Sequence, residues 1–120
     1  MRVTTVYKIC GQPLWRAAEA VGEFRGSADD ARDGFIHFST ADQLAETAAK
    51  HFAKQSDLLL IAVDAGRLGP QLKWERSRGG ALFPHLYGPL RLDAVRWVRP
   101  LPDEIEGRRH LPALEAEPQP

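Results

Sequence analysis

The sequence predicts one α+β domain in which two main helices pack on a bent or split mixed β-sheet. Three observations predict it. The apolar pattern switches between strand-like and helix-like in the order β-α-β-α-β, and several short strands follow. One continuous apolar run, Leu58 to Val63 between Asp57 and Asp64, suits a strand buried on both faces. The length, 120 residues, supports one domain with a real core and not two domains.

Val3 to Ile9 is rich in Val, Thr, Tyr and Ile and reads as the first strand, which Gly11 breaks. Pro13 suits the first turn of a helix. Leu14, Ala17, Ala18 and Val21 give that helix an apolar stripe, and Gly22 ends it. Gly26 to Gly34 reads as a polar loop leading into a central strand, Phe35 to Phe38. Ala41, Leu44, Ala45, Ala48 and Phe52 then recur at helical spacing, and Thr40 with Gln43 has the form of a capping box. After the apolar run, Ala65 to Leu68 reads as one helical turn and Leu72 to Glu75 as a short strand. Arg76 to Gly80 reads as a flexible basic loop. Leu82 to Leu90, dense in aromatics and turn formers, reads as an ordered loop. Asp93 to Leu101 alternates apolar and basic residues, as a half-exposed last strand does. From about Pro102 the composition turns to Pro, Glu and Gln. The folded domain is therefore placed at 1–104, with 105–120 a tail too poor in apolar residues to order itself.

Acidic and basic residues are equal at 16 each, so no overall basic field announces a nucleic-acid partner. Cys10 is the only cysteine, which excludes an internal disulfide and a thiol-rich metal site. The start of the chain lacks a signal peptide's apolar region, and no run approaches membrane-spanning length. A reducing, bacterial-type cytoplasm is the expected home, with no membrane partner.

The chemistry is expected around Gly34 to Leu44. A short apolar run carries His37 and stops at Ser39 and Thr40, where a helix begins. Free N–H groups and a positive helix end favour an anion there. The bland alternatives are a half-buried histidine bonded to backbone and two hydroxyls that merely cap a helix. His85, beside Tyr87 and Gly88, is either a second functional imidazole or a packed turn residue. Glu75 would orient a sugar hydroxyl or support a positively charged transition state; otherwise it is a surface glutamate. Lys8 either extends its ammonium to the surface or points it into a cleft. Arg25, Arg76 and Arg78 are candidates to hold phosphates. His37, Glu75 and His85 also form a two-imidazole, one-carboxylate metal set without motif spacing. Cys10 paired with a histidine would be a nucleophile arrangement, though nothing around it supports one.

Four stretches, Val6 to Ile9, Asp33 to Thr40, Leu72 to Glu75 and Leu82 to Leu90, together resemble a small bacterial family known as domain of unknown function 952. The resemblance spans about residues 3 to 101. The layout is also distantly similar to the ADP-ribosyltransferase fold, including the RNA 2′-phosphotransferases. That likeness implies a cleft for NAD, ADP-ribose or a phosphorylated ribose. His37, Ser39 and Thr40 would line its ribose and phosphate side, with Trp74 or Tyr87 against a ring. Lys8 stands where those relatives carry His or Arg, and Ile9-Cys10 where they carry Gly-Thr. Glu75 is the candidate for their catalytic glutamate.

The leading expectation is a nucleotide- or NAD-type ligand domain, a ribosyl- or phosphotransferase-like enzyme in which His37, His85 and Glu75 are catalytic. Lys8, Ser39, Thr40, Trp74 and Tyr87 would bind the ligand. Two readings compete with it. One is a non-enzymatic module that recognises a small molecule or protein through the Phe83 to Leu90 loop. The other is a metal-dependent hydrolase. Convergence of His37, His85 and Glu75 on one cleft would favour the enzyme.

Overall fold

The computed structural model describes residues 4–114, apart from the side chain of Arg78. Val3, expected to open the first strand, and the end of the tail, 115–120, lie outside the described residues, as does the Arg78 side chain considered above for phosphate.

The chain begins with β1 (Thr5–Gly11) and α1 (Gln12–Val21). Pro13 sits in the first turn of α1, and Gly22 closes the helix in the left-handed conformation, its N–H on the Ala18 carbonyl. The buried face of α1 is Trp15 and Ala18, while Leu14 and Val21 of the expected stripe are exposed. The helix is turned so that the indole, with the largest apolar area available, is the group removed from water. Next come β2 (Glu23–Phe24), α2 (Ala28–Asp33) and β3 (Ile36–His37). A 3-10 turn over Ala41–Gln43 continues into α3 (Leu44–His51). The Thr40 N–H donates to Gln43 Oε1 at 3.0 Å, one arm of the capping box read from the sequence. The remaining elements are β4 (Leu58–Asp64), α4 (Ala65–Leu68), β5 (Leu72–Ser77), β6 (Ala81–Leu86), β7 (Leu90–Arg91) and β8 (Val95–Leu101).

The strands form three small sheets, ordered β1-β4-β8, β2-β7 and β3-β6-β5. Every strand pair among the described residues is antiparallel. The sheet is therefore split but not mixed, which corrects the expected mixed sheet: no helix serves as the crossover that parallel neighbours need. β4 lies at the centre of the first sheet and is buried from Leu58 to Val63. One core holds Val6, Cys10, Leu59, Ile61 and Val63 with Trp15 of α1. The other holds Tyr7, Ile9, Leu60 and Ala62 with Leu44 and Ala48 of α3. Alternation along β1 and β4 thus feeds two separate cores.

Two segments differ from the sequence reading. Gly26 to Gly34 contains α2, started by a Ser27–Asp30 capping box and stopped by Gly34 in the left-handed conformation. Leu82 to Leu86 is strand and not loop, and β6, not the segment around His37, is the central strand of its sheet. After β8 the chain returns over the end of α3. There the Arg109 guanidinium, its side chain 4% exposed, donates to the carbonyls of Phe52, Gln55 and Pro102. No helix among the described residues is long and apolar enough to cross a membrane.

Candidate functional site

A cleft of about 250 Å³ opens where β1, α2, β3, α3 and β6 meet. Backbone pairing creates it. Tyr7 of β1 and Ser39 exchange both backbone hydrogen bonds, at 2.8 and 2.9 Å, so the first and third sheets are joined at the floor of the cleft. Lys8, Asp30, His37, Ser39, Thr47 and His85 bring polar groups to its wall, beside Phe38, Phe52 and Phe83.

β3 and β6 pair in a register that sets His37 opposite His85. Residues directly opposite lie on the same face of a sheet. The two rings are accordingly edge-to-face with centroids 5.7 Å apart. Phe35 stacks on His85 at 4.0 Å and leans on His37 at 4.6 Å, closing one side. The His37 side chain is 37% exposed, whereas that of His85 is 6% exposed.

Asp30, 2% exposed, is the hub behind His37. It receives Lys8 Nζ at 3.0 and 2.8 Å. It also receives the Ser27 N–H at 2.8 Å and the His37 N–H at 3.1 Å, and His37 Nδ1 lies 2.6 Å away. Burial alone would raise this carboxyl. The hydrogen bond from His37, the Lys8 charge and hydrogen bond, and the Ser27 N–H outweigh it and hold Asp30 well below the usual carboxylate range. An ionised carboxylate only accepts, so Nδ1 of His37 carries hydrogen, and Nε2, the other ring nitrogen, lies 2.9 Å from Asp33 Oδ2. Gly26 makes room for this hub. At φ +106° it sits where a Cβ would lie 2.7 Å from the Asp30 Cβ. Cys10, beside Lys8 on the inner side, has its thiol pushed up to about 11, chiefly by burial, which removes it as a nucleophile.

His85 has its own carboxylate. Glu75 Oε1 lies 2.9 Å from His85 Nδ1 and accepts the Tyr87 hydroxyl at 2.7 Å. The bonds from Tyr87 and then His85 lower the Glu75 carboxyl, and the same contact raises the Tyr87 phenol. Glu75 faces Phe83 across β5–β6 and lies diagonal to His85, the placement from which a carboxylate reaches an imidazole.

Of the sequence candidates, Lys8, His37, Ser39 and His85 line the cleft. Glu75 does not line it; it touches His85 from the rim. Trp74 neighbours Glu75 on β5 and so points to the opposite face, where it is 39% exposed. Tyr87 is spent on Glu75. Thr40 lies outside the cleft, and its N–H is taken by Gln43. Ser39 Oγ is 2.8 Å from Thr47 Oγ1, so the hydroxyl faces α3 and not an open helix end. The anion seat expected at that helix start is therefore not formed: the first turn is self-capped and carries Asp42. Arg25 pairs with Glu23, and Arg76 donates to the Gly80 carbonyl. Phe83 and Leu86 of the expected recognition loop are core residues. Among the described residues no group of three His, Cys, Asp or Glu is placed to hold a metal ion.

Sequence reasoning missed Asp30, Asp33 and Thr47. The Ser27-x-x-Asp30 spacing before Gly34 was the available signal for Asp30, because it is the pattern of a capped short helix.

The chain matches the family described as "Protein of unknown function (DUF952)" over residues 9–98 and belongs to it. A crystal structure of protein CC0527 from Caulobacter crescentus is 50% identical, covers 89% of this chain and 94% of that one, and superposes with a TM-score of 0.85. Its solution NMR structure is 51% identical over 86% and 89% of the two chains, with a TM-score of 0.77. These matches carry the small α+β fold; they do not carry a likeness to ADP-ribosyltransferases. No curated protein matches the chain.

Proposed function

We propose that this family member binds a phosphorylated ribose, nucleotide or NAD-type ligand in the cleft and acts there as a ribosyl- or phosphotransferase-like enzyme. The observation that carries the reading is that His37 and His85, far apart in sequence, open onto one cleft, each with Nδ1 on a carboxylate. Carboxylate-backed imidazoles have a fixed orientation and meet a ligand through Nε2, the arrangement that general acid–base chemistry requires. In this reading His37 holds a ribose hydroxyl or phosphate oxygen, and His85 Nε2 takes up the proton of an attacking hydroxyl. Glu75 positions His85, Lys8 acts through Asp30, and Ser39 with Thr47 meets the sugar. The fold would then be a compact relative of the ADP-ribosyltransferases. Ligand pockets commonly span about 300–1,000 Å³. A cleft of about 250 Å³ therefore seats one ribose-sized portion and leaves the rest of a dinucleotide across the rim.

Titration of the 15N-labelled protein with NAD, ADP-ribose, mononucleotides and 2′-phosphorylated ribose compounds tests this. At least one should shift the Lys8, His37, Ser39 and His85 signals, and His37→Ala should abolish the shifts with the fold intact. Unchanged binding by that variant removes His37 from the site. A second reading has one observation in its favour: Trp74 and Leu82, 39% and 49% exposed, stand near each other on the outer face of β5–β6. They would serve a non-enzymatic protein-binding module, and ligand shifts confined to those two residues would favour it.

A further inference from the structure

Asp33 occupies an unusual position. It is the last residue of α2, where the helix carbonyls converge and a negative charge is disfavoured. Its two carboxylate oxygens are nevertheless both engaged by side chains of the cleft wall, the His37 ring and the Arg32 guanidinium. Oδ2 lies 2.9 Å from His37 Nε2, and Oδ1 accepts from Arg32 Nε at 3.3 Å. His37 Nδ1 is already on Asp30, so the nitrogen left for a ligand is the one Asp33 holds. Arg32 lines the same cleft, with Nη1 3.2 Å from Asp29 Oδ1, and the Asp33 side chain is 37% exposed. Asp30 belongs to the buried frame; Asp33 does not.

We propose that His37 Nε2 and Arg32 form a subsite for the phosphate group of the ligand, and that Asp33 is the protein's own stand-in for that group. The inference rests on the cleft being a ligand site and names the group recognised there. A phosphate presents two oxygens to the same two donors. It also carries about −1.5 to −2 charges at neutral pH, against the single charge of Asp33. That difference selects phosphate over carboxylate. A free carboxylate gains nothing over a tethered one already present at high effective concentration, whereas a phosphate, with its higher charge, forms stronger bonds to the Arg32 guanidinium and the His37 ring. Asp33 would thus exclude weak anions from His37 and yield to a more highly charged group.

The test is titration of the full chain with inorganic phosphate and, separately, acetate, followed at the His37 ring by NMR, for the protein and for Asp33→Asn and Asp33→Ala. Both variants should bind phosphate about tenfold tighter, the factor of one exposed charge-assisted contact no longer competing. Adding Arg32→Gln to Asp33→Asn should remove the gain, and acetate should bind weakly throughout. Equal or weaker phosphate binding by both single variants overturns the proposal, as does a phosphate response located away from His37. Nucleotide binding without the Asp33 effect would defeat the subsite and leave the ligand reading standing. A tighter phosphate site with no nucleotide, ribose or NAD response would do the reverse.

Discussion

Asp30→Asn is the perturbation with the largest consequence. The change keeps the shape of the side chain and removes its charge, so Lys8, 5% exposed, loses the one counter-ion it has among the described residues while staying enclosed. Breaking a buried pair by removing one partner costs about 3–5 kcal/mol, because the surviving charge is left in a poor dielectric. The lost Ser27 cap contact adds on the order of 1 kcal/mol, and contacts that share one carboxylate do not add fully. The expected destabilisation is therefore about 3–5 kcal/mol, a large part of the roughly 5–15 kcal/mol typical of a domain. In thermal terms this is a fall of roughly 12–20 °C, at about 4 °C per kcal/mol for a chain of this size. Urea unfolding of the protein, Asp30→Asn, Lys8→Met and the double variant measures it. The double variant should be less destabilised than the two single losses added together, since replacing both charges leaves neither ion unpaired. A cost for Asp30→Asn below about 1 kcal/mol would refute the reasoning. So would a double variant whose loss equals the sum to within about 0.5 kcal/mol, the ordinary error of additivity.

The same carboxylate sets an acid dependence. Its folded value is depressed, so its contribution is complete above the unfolded value, about pH 3.9, and is lost as pH falls through the lower folded one. The urea midpoint should drop more steeply below about pH 4 for the protein than for Asp30→Asn; parallel curves would show that Asp30 is not the group responsible. Arg109→Ala should cost about 2–4 kcal/mol, because three carbonyls lose charged donors at a side chain that is 4% exposed. Truncation after Glu104 should leave the sheets folded and cost a similar amount, with urea unfolding as the check. A loss below about 0.5 kcal/mol in either case would show that the segment after β8 does not brace α3.

The long elements were legible because periodicity, length and punctuation agreed. β4 lies between two aspartates, α1 between Pro13 and Gly22, and α3 behind the Thr40–Gln43 box. β6 was not, since Pro84 in a central strand argues against strand. Its placement explains the tolerance. The Phe38 N–H donates to the Pro84 carbonyl at 3.0 Å. The bond proline cannot return would run to that same neighbour, where β3, only Ile36–His37, has already ended. α2 escaped notice because its six residues, four charged and two alanine, make no apolar stripe; Asp30 is inside for its charge partners. The site residues Lys8, His37, Ser39 and His85 were visible as types in suggestive places. What the sequence could not carry was which carboxylate each histidine meets. Asp30 stands on α2 and His37 on β3, Glu75 on β5 and His85 on β6, so each pair joins two elements and no periodicity within one element could reveal it.

The cleft depends on register more than on any one motif. Ile36 pairs with Leu86 and His37 with His85, and the Phe38–Pro84 bond continues the same register. Hydrogen-bonded and non-hydrogen-bonded pairs alternate along an antiparallel ladder. With the Phe38–Pro84 pair bonded, His37 and His85 form the intervening pair, the kind in which side chains come closest. A slip of one residue would oppose His37 to Leu86 or Pro84 and turn its ring to the other face. The cores forbid that slip: Ile36 and Phe38, on either side of His37, are each 2% exposed, and neither could move outward without exposing a large apolar side chain. The same two residues that bury apolar area therefore hold His37 on the cleft face, and Asp30 then fixes which of its nitrogens looks out. A strand of two residues is enough to place the imidazole because the hydrophobic cost of misplacing its neighbours, about 1.5–3 kcal/mol each, exceeds what any alternative contact of His37 could return.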